Sequence, residues 1–185
     1  MAWVKTSTKV GGGGGGDIDK LIDRSITSIS SNVTSIGDYA FYDCAQLTTT
    51  DFPEATSIGK FAFRNCSQLT TVNFPKATNI GGSTFSACSQ LTTVDFPKAT
   101  SIGAAVFSAC SVLTTLILRS SSVATLESAS AFNNTPFASD GTGGTFYVPE
   151  DLIASYQAAK NWRTVLGYPN NQIKKIEGSP YEVTT

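Results

Sequence analysis

Apolar side chains in this chain return on a fixed period. From Ser35 to Ser122 the sequence repeats every 22 residues, four times over, and residues 57–78 (SIGKFAFRNCSQLTTVNFPKAT) give the unit in its clearest form. Ile36, Ile58, Ile80 and Ile102 share one place in the unit, as do Phe41, Phe63, Phe85 and Phe107. Cys44, Cys66, Cys88 and Cys110 share a third, and Leu47, Leu69, Leu91 and Leu113 a fourth. A repeat of this length marks a solenoid, whose units stack on their neighbours because one alone cannot bury its apolar face.

Each unit yields the same local elements. Leu69–Phe74 reads as a strand, with Val72 and Phe74 inward and Thr71 and Asn73 outward. Pro53, Pro75 and Pro97 end their strands, since proline has no N–H for the ladder. Gly59 and Gly81 mark a tight corner after Ile58 and Ile80. Phe61–Cys66 is expected to form a short helical turn that drops Phe63 and Cys66 into the core. The fold class is therefore an α/β repeat solenoid, with short strands on one face and irregular chain or short helical turns on the other.

The flanks divide the rest. Residues 1–16 end in six glycines, Gly11–Gly16, read as a flexible tether spanning roughly 13 Å. A phosphate loop would need Gly-Lys-Ser/Thr opening a helix, and these glycines run into Asp17-Ile18-Asp19. Residues 17–34 form an N-terminal cap and partial repeat. Within it, Asp17–Asp23 suggests one or two helical turns with Asp17 as cap, and Ile26–Ile29 echoes Leu47–Thr50. Asp17, Asp19 and Asp23 lack the glycine and distal glutamate of a calcium loop. Residues 35–122 are the four units. Residues 123–185 hold the end of a degraded repeat (Val123, Leu126, Phe132), a polar loop over 133–144, and Phe146–Pro149 in strand-then-proline form. A helix is expected from Pro149, with Leu152, Ile153, Tyr156, Ala159 and Trp162 on its inner side, lying across the open end of the stack. Ile173 and Ile176 suit a last short strand, and Gly178–Thr185 is expected to fray.

Composition narrows the function. Net charge is −1 and no run of Lys or Arg occurs among the 185 residues, which argues against nucleic acid or an anionic membrane surface as partner. There is no histidine, so imidazole acid–base chemistry and the commonest metal ligand are absent. No apolar run reaches the length of a membrane span, and the opening residues lack a signal peptide's apolar core, so no membrane insertion is expected.

The unit Ile-Gly-x-x-Ala-Phe-x-x-Cys-x-x-Leu-Thr-x-Val-x-Phe-Pro resembles the leucine-rich repeats of the BspA-like type, over roughly Ile26 to Glu177. The run from Phe146 through Pro149, Leu152, Tyr156 and Ala159 to Trp162 is similar to the cap that often follows such repeats in proteins of gut bacteria and their prophages. One departure is plain: Ala55, Ala77 and Ala99 stand where leucine-rich repeats place Asn or Cys, so the usual asparagine ladder is missing. The resemblance implies a right-handed solenoid that binds protein or cell-surface glycan, often at a microbial or phage surface.

Three sets of residues compete as sites. The cysteines would lie in a line at about 5 Å per coil, which cannot close a tetrahedron around a metal. They read as a ladder of buried thiols acting as small apolar groups, with some disulfide formation as the alternative. A cysteine nucleophile would need a neighbouring base, and Asp51 and Asp95 are held apart by the intervening Asn73 coil, so neither catalysis nor a cofactor is expected. The outward strand positions Thr49, Thr71, Thr93 and Thr115, with Asp51, Asn73 and Asp95, are either a solvated sheet face or a flat recognition surface. Glu54, Lys76 and Lys98 rim it. Tyr39, Tyr42 and Phe61 vary between units and offer contacts on the opposite face instead. The function that follows is non-catalytic recognition of a protein or glycan; a structural spacer is the alternative, and a thiol enzyme a distant third.

Overall fold

A computed structural model describes residues 17–18, 24–138 and 141–182; the tether expected over 1–16 lies outside them. The chain winds into a parallel β-solenoid of about four regular turns, closed by short helices at its C-terminal end. The fold class agrees with the sequence, but strands line two sides of the coil instead of one. The first side is a six-stranded parallel sheet in the order β1 (Asp17–Ile18), β3 (Ser35–Ile36), β5 (Ser57–Ile58), β7 (Asn79–Ile80), β9 (Ser101–Ile102) and β11 (Thr125–Leu126). Its register places Ile36 beside Ile58, Ile58 beside Ile80 and Ile80 beside Ile102. Asp17 and Ile18 pair with Ser35 and Ile36, so the helical turn expected to start at Asp17 is a strand there. The remainder of that turn, 19–23, lies outside the described residues.

The second side carries β2 (Ser28–Ser30), β4 (Thr49–Asp51) and β6 (Thr71–Asn73) as one parallel sheet. It continues as another sheet with β8 (Thr93–Phe96), β10 (Thr115–Leu118), β12 (Thr145–Val148) and β13 (Gln172–Lys175) in that spatial order. The third side is made of turns, not the expected helical turn. Phe61 and Asn65 both have left-handed backbone, with φ of 59° and 63°, and an α-helix cannot pass through such residues. The pair recurs in every unit, at Tyr39 and Asp43, Ser83 and Ala87, and Ala105 and Ala109. Alternate N–H groups are thereby aimed along the solenoid axis: Phe41 N–H donates to the Ala62 carbonyl at 2.7 Å, and Phe63 N–H to that of Thr84 at 2.9 Å.

The interior is columnar. Phe41, Phe63, Phe85 and Phe107 stack with centroids 5.0, 5.5 and 6.0 Å apart and interplanar angles of 8° or less. Phe52 and Phe74 begin a second column at 5.6 Å, and Phe96 follows in the next coil; its rings tilt against the first column. The Ile, Cys and Leu columns are buried beside them. At Gly81 an added Cβ would fall 2.7 Å from the backbone of Gly59 and Lys60. The corner glycines are needed because successive coils touch there, main chain on main chain.

Threonine does the work of the missing asparagines at the corners. The hydroxyls of Thr56, Thr78 and Thr100 each donate to the carbonyl of the threonine one coil earlier, at 3.1–3.2 Å. Thr48 and Thr70 do the same with Thr27 and Thr48, at 2.8 and 3.1 Å. Ala55, Ala77 and Ala99 are fully buried small side chains inside these turns.

The C-terminal cap closes the exposed edge of the six-stranded sheet. Two short helices, α1 (Ile153–Ala158) and α2 (Lys160–Leu166), replace the single expected helix and break at Ala159, whose backbone is extended. In one straight helix Tyr156 and Trp162 would point about 120° apart. With the break, both reach Ala124: its N–H donates to the Tyr156 hydroxyl at 3.1 Å, and Trp162 Nε1 donates to its carbonyl at 2.6 Å. Asn161 Nδ2 covers the Leu126 and Glu127 carbonyls at 2.6 and 2.8 Å. An open strand edge is thus capped by side chains and cannot pair further. The loop after Asn133 is less polar than its sequence suggests, because Phe137 is fully buried and sits 4.4 Å from Phe146.

Candidate functional site

The strand face is built by alternation. Thr49 lies beside Thr71 and Asp51 beside Asn73 in the first sheet; Thr93 lies beside Thr115 and Asp95 beside Ile117 in the second. The outward residues therefore form two rows, as their equal spacing requires. The rows differ along their length. Thr49, Thr71 and Asn73 are exposed, with Ser28 and Ser30 extending the rows toward the N-terminus. Asn73 Nδ2 donates to Asp51 Oδ1 at 2.7 Å and Ser30 Oγ donates to Asp51 Oδ2 at 3.2 Å, which leaves a flat strip of hydroxyl, amide and carboxylate groups.

The other half of the face is used by the protein itself. Arg119 clasps Asp95 through Nε (3.1 and 2.9 Å) and a terminal nitrogen (2.8 Å), and donates from its other terminal nitrogen to the Tyr181 carbonyl at 2.5 Å. Tyr181 also meets Tyr147 edge-on at 4.7 Å. Thr93 and Thr115 are only half exposed, and the outward Ile117 is buried. Residues 178–182, expected to fray, are held by a turn from Ser179 N–H to Ile176 and by this contact with Arg119. The Asp95 side chain stays 36% exposed, but its carboxylate is already engaged by Arg119. Sequence reasoning missed Arg119, which stands at the repeat position where the other units carry Pro53, Pro75 and Pro97. Of the rim, Lys76 and Glu54 form an exposed ion pair at 2.7 Å, worth little in water.

The cysteines lie in the column their period implies, all four buried and none in a disulfide. They also donate weak hydrogen bonds: Cys66, Cys88 and Cys110 Sγ reach the carbonyls of Phe41, Phe63 and Phe85 in the preceding coil at 3.2, 3.3 and 3.0 Å. The thiol is a donor here as well as an apolar filler. Burial pushes the Cys110 thiol up to about 12, and pushes Cys66 and Cys88 well above the usual range. Neighbouring sulfurs add to the shift at Cys66 and Cys88, so none of the three supplies a thiolate near neutrality. Among the described residues no group of three or more His, Cys, Asp or Glu could hold a metal ion, and no helix is long and apolar enough to cross a membrane.

The turn side, opposite the strand rows, holds Tyr39, Tyr42 and Phe61 together. Tyr39 stacks on Phe61 at 4.8 Å and lies 5.7 Å from Tyr42.

Parallel two- to four-residue strands, turn-linked coils and columns of Ile, Phe, Cys and Leu define a leucine-rich-repeat solenoid. The chain belongs to the family described as BspA type leucine rich repeat region (6 copies), whose model matches residues 23–138. Among curated proteins, none matches it. Of solved structures, a leucine rich cell surface protein from Faecalibacterium prausnitzii A2-165 is similar at 28% identity and a TM-score of 0.54, over 72% of this chain and 37% of its own. The leucine-rich repeat protein of T. pallidum shares the fold at 19% identity and a TM-score of 0.61, over 85% of this chain and 72% of its own. One from Bacteroides ovatus ATCC 8483 shares it at 22% identity and a TM-score of 0.54, over 82% and 36%. The chain thus spans little more than a third of the F. prausnitzii protein's length.

Proposed function

We propose that this chain is a non-catalytic recognition module that binds a protein or a glycan at a bacterial surface or in a phage particle. The observation that carries the reading is the open strip on the N-terminal strands. Thr49, Asp51, Thr71 and Asn73 present mixed donors and acceptors on a rigid, regularly spaced backbone, the kind of extended surface that solenoids use for binding. The cell-surface description of the F. prausnitzii relative supports the setting. The raised thiol pKa values and the lack of histidine count against acid–base or nucleophilic chemistry.

The test is capture from bacterial envelope fractions and virions by immobilised protein, with T71R/N73R compared to the unsubstituted chain. Both side chains are exposed, so the melting temperature should hold while capture falls at least tenfold. Unchanged capture would defeat the strand-face assignment and favour the spacer reading, which draws its support from the C-terminal half of the face being occupied by Arg119 and Tyr181.

A further inference from the structure

The four units share a backbone on the turn side but not a surface. At the two left-handed positions and the one just before the second, the first coil carries Tyr39, Asp43 and Tyr42, and the second Phe61, Asn65 and Arg64. The third and fourth carry only Ser83, Ala87 and Ser86, then Ala105, Ala109 and Ser108. The φ values are the same throughout, 60° and 59° at the aromatics against 56° and 54° at Ser83 and Ala105. The scaffold therefore does not require large rings there. A bulky side chain in left-handed backbone is strained, and such strain is retained where a surface is used.

The rings and cations form one patch. Tyr39 is 45% exposed and lies parallel to Phe61 within 17°. Stacking hides ring faces and leaves ring edges, which carry the positive end of the aromatic quadrupole. Arg24 sits 5.9 Å over Tyr42 and Arg64 5.6 Å over Phe61. The nearby carboxylates are engaged: Asp43 accepts from Arg24 at 3.2 Å and from Asn65 at 2.6 Å, and Asp38 accepts the Lys60 N–H at 2.7 Å. Arg64 is half-buried and has no anionic partner among the described residues. Its Nε is shut off from solvent, so any outside contact falls to the terminal nitrogens of the fork. An unpaired guanidinium beside the exposed Tyr39 and the half-buried Tyr42 and Phe61 is complementary to carboxylate, and Tyr and Arg together are the composition of protein-binding hot spots.

We propose that Tyr39, Tyr42, Phe61 and Arg64 form a docking site for an acidic protein segment. Arg64 takes a carboxylate, and the Tyr39–Phe61 stack takes the apolar stem next to it. The inference rests on the reading of the chain as a recognition module and adds a second face to it. Two coils give the patch a span of about 10 Å, suited to a few residues of extended chain.

The experiment is fluorescence anisotropy on the full chain with three labelled probes: a decapeptide of alternating glutamate and leucine, its lysine counterpart, and an oligogalacturonate. R64S and F61S install the residues that Ser86 and Ser83 already supply one coil on, so the fold tolerates them, and a melting curve verifies it. T71R alters the strand face alone. The acidic peptide should bind, weaken at least tenfold in both R64S and F61S, and be unaffected by T71R, with the lysine peptide not bound. Equal binding by R64S, absence of acidic-peptide binding at millimolar concentration, or capture of the oligogalacturonate in preference to the peptide would overturn the proposal. Loss on T71R alone would also overturn it while leaving the strand-face reading standing.

Discussion

At the scale of single residues, the cysteine column illustrates how one position serves packing and polarity together. Each of Cys66, Cys88 and Cys110 is fully buried in the core and donates to a carbonyl one coil back. Their raised pKa values imply a definite pH dependence. The unfolded thiols ionise from about pH 8.5, whereas the folded ones stay protonated, so unfolding releases protons above that pH. Stability should be level below about pH 8 and fall as pH rises through 9 and 10, by roughly 1.4 kcal/mol per pH unit for each shifted thiol. Denaturant titrations at pH 7 and pH 10 measure this, with a Cys66, Cys88 and Cys110 triple alanine variant as reference; an equal loss in that variant would contradict it. For the same reason a maleimide should label the native chain far more slowly than the unfolded chain at pH 7.5.

Among elements, the cap is where side chains replace a neighbouring strand. Y156F leaves the buried Ala124 N–H without its acceptor and should cost about 1–3 kcal/mol in chemical denaturation. W162A also opens a cavity against Phe132 and Phe146 and should cost more, about 3–5 kcal/mol. A loss below 0.5 kcal/mol in both would show that the edge of the six-stranded sheet needs no cover. At the other kind of junction, G81A should destabilise, because its Cβ would meet main chain and not a movable side chain. The helix break that arms the cap was not legible in the sequence. Ala159 is neither glycine nor proline, and the break follows from what Tyr156 and Trp162 must both reach. The left-handed pairs were mostly hidden too: Asn65 and Asp43 are residues that favour this backbone, but Tyr39, Phe61, Ala87 and Ala109 at the equivalent places give no such signal, and the spacing of Phe63 and Cys66 suits a helical turn. The strand at Asp17–Ile18 is set by pairing with Ser35–Ile36, a tertiary choice that local capping preference could not reveal. The columns and the two outward rows were legible because every unit repeats the residue type at each place. Their exposure was not, since the contact of Arg119 with Asp95 and Tyr181 joins parts of the chain that share no repeat position.

On the scale of the whole molecule, stability is shared between neighbours along one axis, and the surfaces proposed for binding are rows generated by that stacking. The strand-face strip and the aromatic patch both lie on the first coils, while the C-terminal coils are committed to the cap and to the contact of Arg119 with Tyr181. The two proposed recognition surfaces thus share one end of the stack, and closure occupies the other. Both site assignments depend on residues 22 apart lying directly over one another. The most direct measurement of that claim is the thermal unfolding of two deletions, one removing the whole unit 57–78 and one removing only 57–67. Taking out a full period should bring Phe41 onto Phe85 and Ile36 onto Ile80, and give a folded chain with a single cooperative transition at a lower melting temperature. The half-period deletion sets corner against strand and should abolish the transition. A chain that fails to fold without residues 57–78, or that folds equally well without 57–67, would contradict the stacked-column account.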